Sequence, residues 1–358
     1  MKPISSENLS LLPAAIDDPE TISFWINAIH NDEVLSLIVR SKAFLRLRDI
    51  SFLGALDYTY PGIERIGKFS RSRADHSLHV AALAAYVSAK RNYSAELTRH
   101  LIVAALLHDI GHAPLSHSAE PFIKSKIGYG HHEAGEQIIE GRQAIGKELH
   151  GILNKYVSVE FIIKLLNMDV VKEDGGDLFY SPINIDTIDG IIRSHSYFTG
   201  FSSAHSKLAV AYASFVSDDN LKHNILDSFW AMKERVYSGL INDDIGLVSD
   251  RTSELFFHDF SIPFEESDLY SVEKSWQQKH KKLFSQLNKI LKDKVMPGWF
   301  SDTTLSFVHR QYYVIPDRDD IGRYSCKKVK KTKKIELREE AAEELNNQQL
   351  FNFKRIFL

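Results

Sequence analysis

Half of the 16 histidines in this 358-residue chain fall between His76 and His132, and their neighbours point to metal chemistry. Four stretches stand out. They are R-A-D-H-S around His76, L-L-H-D-I-G-H around His108 and Asp109, Y-G-H-H-E-A-G from Tyr129 to Gly135, and N-I-D-T-I-D-G around Asp186. His76, His108, Asp109 and Asp186 make a mixed nitrogen and oxygen donor set. Such a set suits a divalent transition metal (Mn, Fe, Co, Ni or Zn) with positions left open for water and substrate. Asp109, next to His108, is also placed to bridge to a second ion such as Mg. Imidazoles and carboxylates carried on apolar helices need partners, because unpaired burial is costly, and a metal supplies one.

These residues also have plainer readings. A lone His-Asp dipeptide is common. Asp189 is a candidate substrate contact, but it and Arg193 are four apart and read equally well as a helix salt bridge. His79 belongs to another face of its helix. His100 and His150 read as surface or helix-end residues, and His117 divides evenly between substrate contact and a structural hydrogen bond.

The elements that must position this set are helical. Asp75–Lys90 reads as a buried helix with Asp75 as its cap, and Ala95–Ile110 as a second, loosened by Gly111 and ended by Pro114. His108 and His112 then share a helix face, while Asp109 sits about 100° away, within a metal's reach near a helix end. Further helices are expected over His132–Glu140, Val159–Met168, Asp186–Tyr197, His205–Val216, Asn220–Leu240, Asp244–Phe257 and Ser271–Lys292. Asp169–Ser181 reads as an exposed loop, and Phe307–Ile315 carries the clearest strand signal. The fold class is therefore all-α. A short N-terminal segment (1–29) leads to a helical domain (30–295), and a small mixed α/β tail (296–358) carries a short strand, a lysine-rich loop and a helix.

Composition removes several classes. The single cysteine, Cys326, excludes an internal disulfide and a cysteine-based zinc knuckle. No apolar run reaches the length of a membrane-spanning helix. With 44 Lys+Arg against 47 Asp+Glu, the chain carries no global electrostatic footprint for DNA. A cytoplasmic protein is the default expectation. The local exception is K-K-V-K-K-T-K-K, Lys327–Lys334. It reads either as a solvated hairpin or loop beside an acidic helix, or as a patch that binds the phosphates of a nucleotide or nucleic acid.

Taken together, R-x-x-H-S, H-D-x-G-H-x-P-x-S-H, H-E-x-G and I-D-x-x-D resemble the HD-domain phosphohydrolases. The chain is most similar to their deoxynucleoside triphosphate triphosphohydrolase branch, from about Gly62 to Phe257. The resemblance implies an HD helical bundle with a metal on His76, His108, Asp109 and Asp186. It implies phosphate contacts from His112 and His117, and an α-phosphate grip from Arg73, whose planar charged fork suits that task. His132 and Glu133 would serve proton transfer. A dNTP would be cut at the α-phosphorus, by a homo-oligomer. Two positions depart from the branch: Thr187 and Gly190 stand where its better-known members carry Lys and Tyr. Lys68 or Arg71 could replace that Lys. These departures keep other substrates open, among them other nucleotides and nucleic-acid ends. A non-catalytic nucleotide- or nucleic-acid-binding module is a third reading.

Overall fold

Alanine, leucine and valine fill the segment that carries His76 and the one that leads into His108 and Asp109, and both are helices buried on almost every side. The computed structural model describes residues 21–59, 71–200, 206–259, 262–293, 295–300, 304–335, 337–338 and 349–351. Its helices are α1 (Ile22–Asn31), α2 (Glu33–Arg40), α3 (Lys42–Arg46), α4 (Arg73–Lys90), α5 (Ala95–Leu107), α6 (Ser116–Ile127), α7 (His131–Ile139), α8 (Lys147–Tyr156) and α9 (Val159–Leu166). They continue with α10 (Asp177–Tyr180), α11 (Ile185–Thr199), α12 (Lys207–Phe215), α13 (Lys222–Val236), α14 (Asp244–Asp259), α15 (Glu266–Leu269), α16 (Glu273–Lys279) and α17 (Lys281–Asp293). The strands are β1 (Val295–Met296), β2 (Thr304–Val314), β3 (Tyr324–Lys334), β4 (Leu337–Arg338) and β5 (Gln349–Phe351).

α4 and α5 lie side by side at the centre. Every residue from Leu101 to Leu107 is buried, as is the Ala81–Ala85 run it packs near. α4 starts two residues before Asp75, and its cap is Ser72, whose hydroxyl accepts from Asp75 N at 3.2 Å. α1 packs against α4 through buried Trp25 and Ile29, so the chain enters the core before residue 30. The Asp169–Ser181 stretch holds a short helix, α10, with buried Asp177 paired twice to Arg91 at 2.8 and 2.6 Å. The Ser271–Lys292 helix is two helices that break at His280.

α5 ends at Leu107, earlier than its apolar pattern predicts, and His108–Gly111 turn away. Buried Arg46 from α3 donates to the carbonyls of Ile110 (2.7 Å) and His112 (2.8 Å), which no helix satisfies. Gly111 sits where α7 crosses: a Cβ there would lie 2.0 Å from the His131 carbonyl oxygen and 2.3 Å from Gly135 N. Only glycine permits that backbone approach. Two left-handed residues follow, Leu115 (φ 61°) and Ser116 (φ 45°). Buried Glu273 accepts from Leu115 N at 3.2 Å and the Ser51 carbonyl accepts from Ser116 Oγ at 2.5 Å, so neighbouring contacts hold the strained turn.

The lysine run is one strand of a hairpin, as one of the two plain readings has it, and not a loop. Lys327–Lys334 lies within β3, paired antiparallel with β2 in a register that runs from Thr304–Lys334 to Val314–Tyr324. The acidic helix expected after it falls largely outside the described residues. The hairpin docks on α13: Trp230 Nε1 donates to the Tyr313 carbonyl (3.2 Å), Glu234 accepts from Tyr312 N (2.7 Å), and Asp227 pairs with Arg323 (2.6 Å). β1, β5 and β4 form a second small sheet. Among the described residues, no helix is long and apolar enough to cross a membrane.

Candidate metal centre and cleft

α4, the turn after α5, and α11 bring four side chains to one point. His76 Nε2 lies 3.2 Å from His108 Nε2 and 3.0 Å from Asp186 Oδ1. Asp109 Oδ2 lies 3.6 Å from His76 Nε2 and 3.5 Å from His108 Nε2. The early end of α5 lets sequence neighbours His108 and Asp109 face the same centre. Metal–ligand bonds of about 2.0–2.2 Å place adjacent donor atoms roughly 3 Å apart. The spacings here are of that size.

The outer nitrogens define the tautomers. His76 Nδ1 is 2.6 Å from Asp189 Oδ2, and His108 Nδ1 is 2.8 Å from the Ala105 carbonyl. Both partners accept, so each Nδ1 carries the hydrogen. In the neutral rings each Nε2 then presents a lone pair, and the two lone pairs face each other beside two carboxylates. That arrangement is repulsive until a cation joins them. The charge balance agrees. Burial lowers the proton affinity of His108, but Asp109 and Asp186 outweigh it, and its pKa is pushed up to about 9. The donor set fits a divalent metal.

The residues behind the ligands differ in part from expectation. Asp189 is fully buried behind His76, away from any substrate. It accepts from Arg193 at 2.8 Å and from Lys207. Burial alone would raise its pKa, but these cations hold its carboxyl well below the usual range. Asp189 therefore orients a ligand. Arg73 is buried, with its fork committed to Asp109 Oδ2 (2.6 Å), the Phe52 carbonyl (2.7 Å) and Ser116 Oγ (3.1 Å). It still lines the cleft described next.

A cleft of about 470 Å³ opens beside Asp186, the most exposed of the four donors. Thr187 and Gly190 lie on its wall. A Cβ at Gly190 would stand 3.8 Å from Phe52 and 3.9 Å from Asp186, so the wall has room there. Two cations that the motif reading missed also line the cleft: Lys233 from α13 and Arg310 from β2. Lys233 is buried, with Nζ 4.5 Å from the Trp230 ring and 4.8 Å from the Tyr312 ring. Burial lowers its pKa to about 8. No local pattern marks either residue in the sequence. Lys68 lies outside the described residues. Arg71 is half-buried just before α4, and its carbonyl accepts from Phe52 N at 2.8 Å.

A second group sits at the HD turn. Ring nitrogens of His112, His117 and His131 fall within 4.8 Å of one another. His131 stacks on His112 with ring centres 4.0 Å apart. Glu120 bridges His131 Nδ1 (2.7 Å) and His117 Nδ1 (3.3 Å). Burial opposes its ionisation, but these contacts win and hold the Glu120 carboxyl well below its usual range. His112 is pushed well below its usual value by burial and by Arg73, so it is neutral.

The expected His132–Glu133 pair does not form in this way. His132 is exposed and lines a small separate pocket with His108, Glu136 and Asn167. Glu133 accepts from Gly130 N at 3.0 Å and caps α7. The histidine turned toward the HD motif is His131. Its partner Glu120 follows His117 by one helical turn, a spacing that was readable. His79 keeps to the Asp75 carbonyl (2.7 Å) and Arg193 (3.0 Å). His100 is buried, not at the surface, and its Nε2 accepts from Ser158 N at 2.9 Å. His150, half-buried, holds the Ile139 carbonyl (2.9 Å).

Residues 73–197 match the family model described as HD domain. This segment is an HD domain. It holds all four metal-type donors, and HD domains bind divalent metals and are typically hydrolytic. An uncharacterised protein of Methanocaldococcus jannaschii is 34% identical over 172 residues, which is 48% of this chain and 32% of the relative. One from Mycoplasma genitalium is 25% identical over 67% of this chain and 50% of the relative. A deoxyguanosinetriphosphate triphosphohydrolase-like protein of Caldanaerobacter subterraneus is 32% identical over 33% of this chain and 34% of the relative. The chain thus spans between a third and a half of these relatives. The HD domain ends before α13 and the β2–β3 hairpin, which complete the cleft.

Proposed function

We propose that the chain is a metal-dependent phosphohydrolase that converts a dNTP to a deoxynucleoside and inorganic triphosphate. The observation that carries this reading is the convergence of His76, His108, Asp109 and Asp186 beside a cleft lined with cations. The names of the triphosphohydrolase-like relatives support the substrate class. A divalent ion bound by those four residues supplies a Lewis acid and an activated water. Asp189 holds the His76 tautomer and Arg73 holds Asp109. Arg73 and neutral His112 stabilise charge on the reacting phosphate. Glu120 accepts from His117 Nδ1 and favours the imidazolium form, whose Nε2–H would pass to the leaving oxygen. Water adds across the bond between the α-phosphorus and the sugar oxygen: its hydroxyl ends on triphosphate, its hydrogen on the nucleoside.

A second reading keeps the metal and changes the substrate to another nucleotide or a nucleic-acid end. The open wall at Thr187 and Gly190 and the lysine-rich β3 favour it. Purified protein, loaded in turn with each divalent ion, is offered each nucleotide and short single strands, and the products are separated. Inorganic triphosphate is the expected product. Orthophosphate, pyrophosphate or shortened strands would select the second reading. No turnover of any of them would leave a binding module.

A further inference from the structure

The β2–β3 hairpin lies outside the HD domain, yet it closes one wall of the cleft with Val308 and Arg310. Its anchors on α13, together with an Asn242–His309 contact at 3.3 Å, fix where Arg310 stands. The hairpin also supplies Tyr312, one of the two rings that hold Lys233. The register sets Lys328 opposite Arg310 and Lys330 opposite Val308, so these lysines share the cleft-side face of the hairpin.

Among the described residues, no carboxylate forms an ion pair with Arg310 or Lys233. The carboxylates on the same cleft are otherwise engaged: Asp186 joins the metal cluster, and Asp250 accepts from Ser118 Oγ at 2.6 Å. A buried ammonium that rests on two rings, with no ion pair and with Asp186 pulling only from a greater distance, is costly, and a bound anion relieves that cost. Its site adjoins that of the reacting phosphate.

We propose that Arg310 and Lys233 form a subsite for the phosphates beyond the reacting one, which makes the cleft selective for nucleoside polyphosphates over single-phosphate esters. The proposal rests on the phosphohydrolase reading and adds what sets its substrate length. A phosphate chain gains charge with each unit, and a cation held at the metal cluster would neutralise only the reacting end. The remaining charge falls to the α13–β2 wall, with Lys328 next along the strand.

Calorimetric titration of inorganic triphosphate and of orthophosphate into the metal-loaded full chain tests this without turnover. Bound metal is assayed after each run to keep chelation apart. Arg310→Gln is expected to weaken triphosphate binding at least tenfold and orthophosphate binding less than twofold, and Arg310→Lys to restore most of the loss. Arg310 is exposed, so its variants should fold. Lys233→Met, checked by thermal melting, is expected to act in the same direction. Unchanged triphosphate affinity in both the Gln and Met variants, or an equal loss for both anions, would overturn the subsite. If the parent turns over no nucleotide, the functional reading fails while the titration still decides the subsite.

Discussion

In the metal cluster three of the four ligands are backed by a second group, whereas on the hairpin wall the cations stand on aromatic rings. His76 rests on Asp189, which rests on Arg193 and Lys207; His108 rests on the Ala105 carbonyl; Asp109 rests on Arg73. Lys233 has Trp230 and Tyr312, and Arg310 has the Tyr237 ring at 5.8 Å together with hydrogen bonds to Tyr237 and Tyr312. The difference follows from what each region must do. Coordination demands fixed angles and tautomers, so its ligands need hydrogen-bonded backing. Neutralising a mobile phosphate chain demands only charge in the right volume, and a ring face supports a cation without competing for it.

The sharpest way to break the comparison is to remove a ligand. Asp109→Ala or His108→Ala is expected to take bound metal, read by elemental analysis, to background and turnover with it. Helical circular dichroism should stay. Metal retained at parental stoichiometry in both variants would place the ion elsewhere. The next largest effect separates the two histidine groups. His117→Ala should slow the chemical step by roughly 10²–10⁴-fold with metal unchanged, whereas His132→Ala should stay near the parental rate. The reverse result would return the proton-transfer role to His132. Asp189→Asn probes the backing itself: metal affinity should fall by about 10–100-fold, with turnover recovered at excess metal. An unchanged affinity would mean that the His76 tautomer needs no support.

The two regions were not equally legible in the sequence. The donor set was readable because metal chemistry restricts residue types, and the apolar helices around it restrict position. Helix ends were less so. The apolar pattern runs on to Ile110, and only tertiary groups such as Arg46 and Glu273 explain why α5 stops at Leu107. In H-H-E, two adjacent histidines differ by one helical step, and choosing His131 over His132 required knowing which face meets Gly111. Asp189 was visible as an Arg193 partner, but not as the support of a ligand on another helix. Lys233 and Arg310 carried no signal. A lone cation in a helix or strand is ordinary until a distant segment folds against it.

A smaller effect tests the floor between the two regions. Asp57 lies beside the residues that form the cleft's Phe52–Leu56 edge. Its Oδ2 accepts from Leu53 N at 2.8 Å, but its buried Oδ1 has no partner among the described residues. Burial, aided by nearby Glu273 and opposed by the Leu53 hydrogen bond and by Arg71 and Arg73, raises its pKa to about 7. The folded state thus holds this proton more tightly than the unfolded chain, whose aspartate titrates near 3.9. The stability linked to that proton is full below about pH 4 and is lost as pH rises through about 7. An asparagine in its place would keep an acceptor for Leu53 N and carry no charge. Asp57→Asn should therefore stabilise the protein by roughly 1–3 kcal/mol at pH 8 and by less at pH 5 in denaturant unfolding. An equal gain at both pH values, or a loss at pH 8, would mean that this carboxylate is satisfied. The contrast drawn between backed and unbacked charges would then stop at the cleft wall.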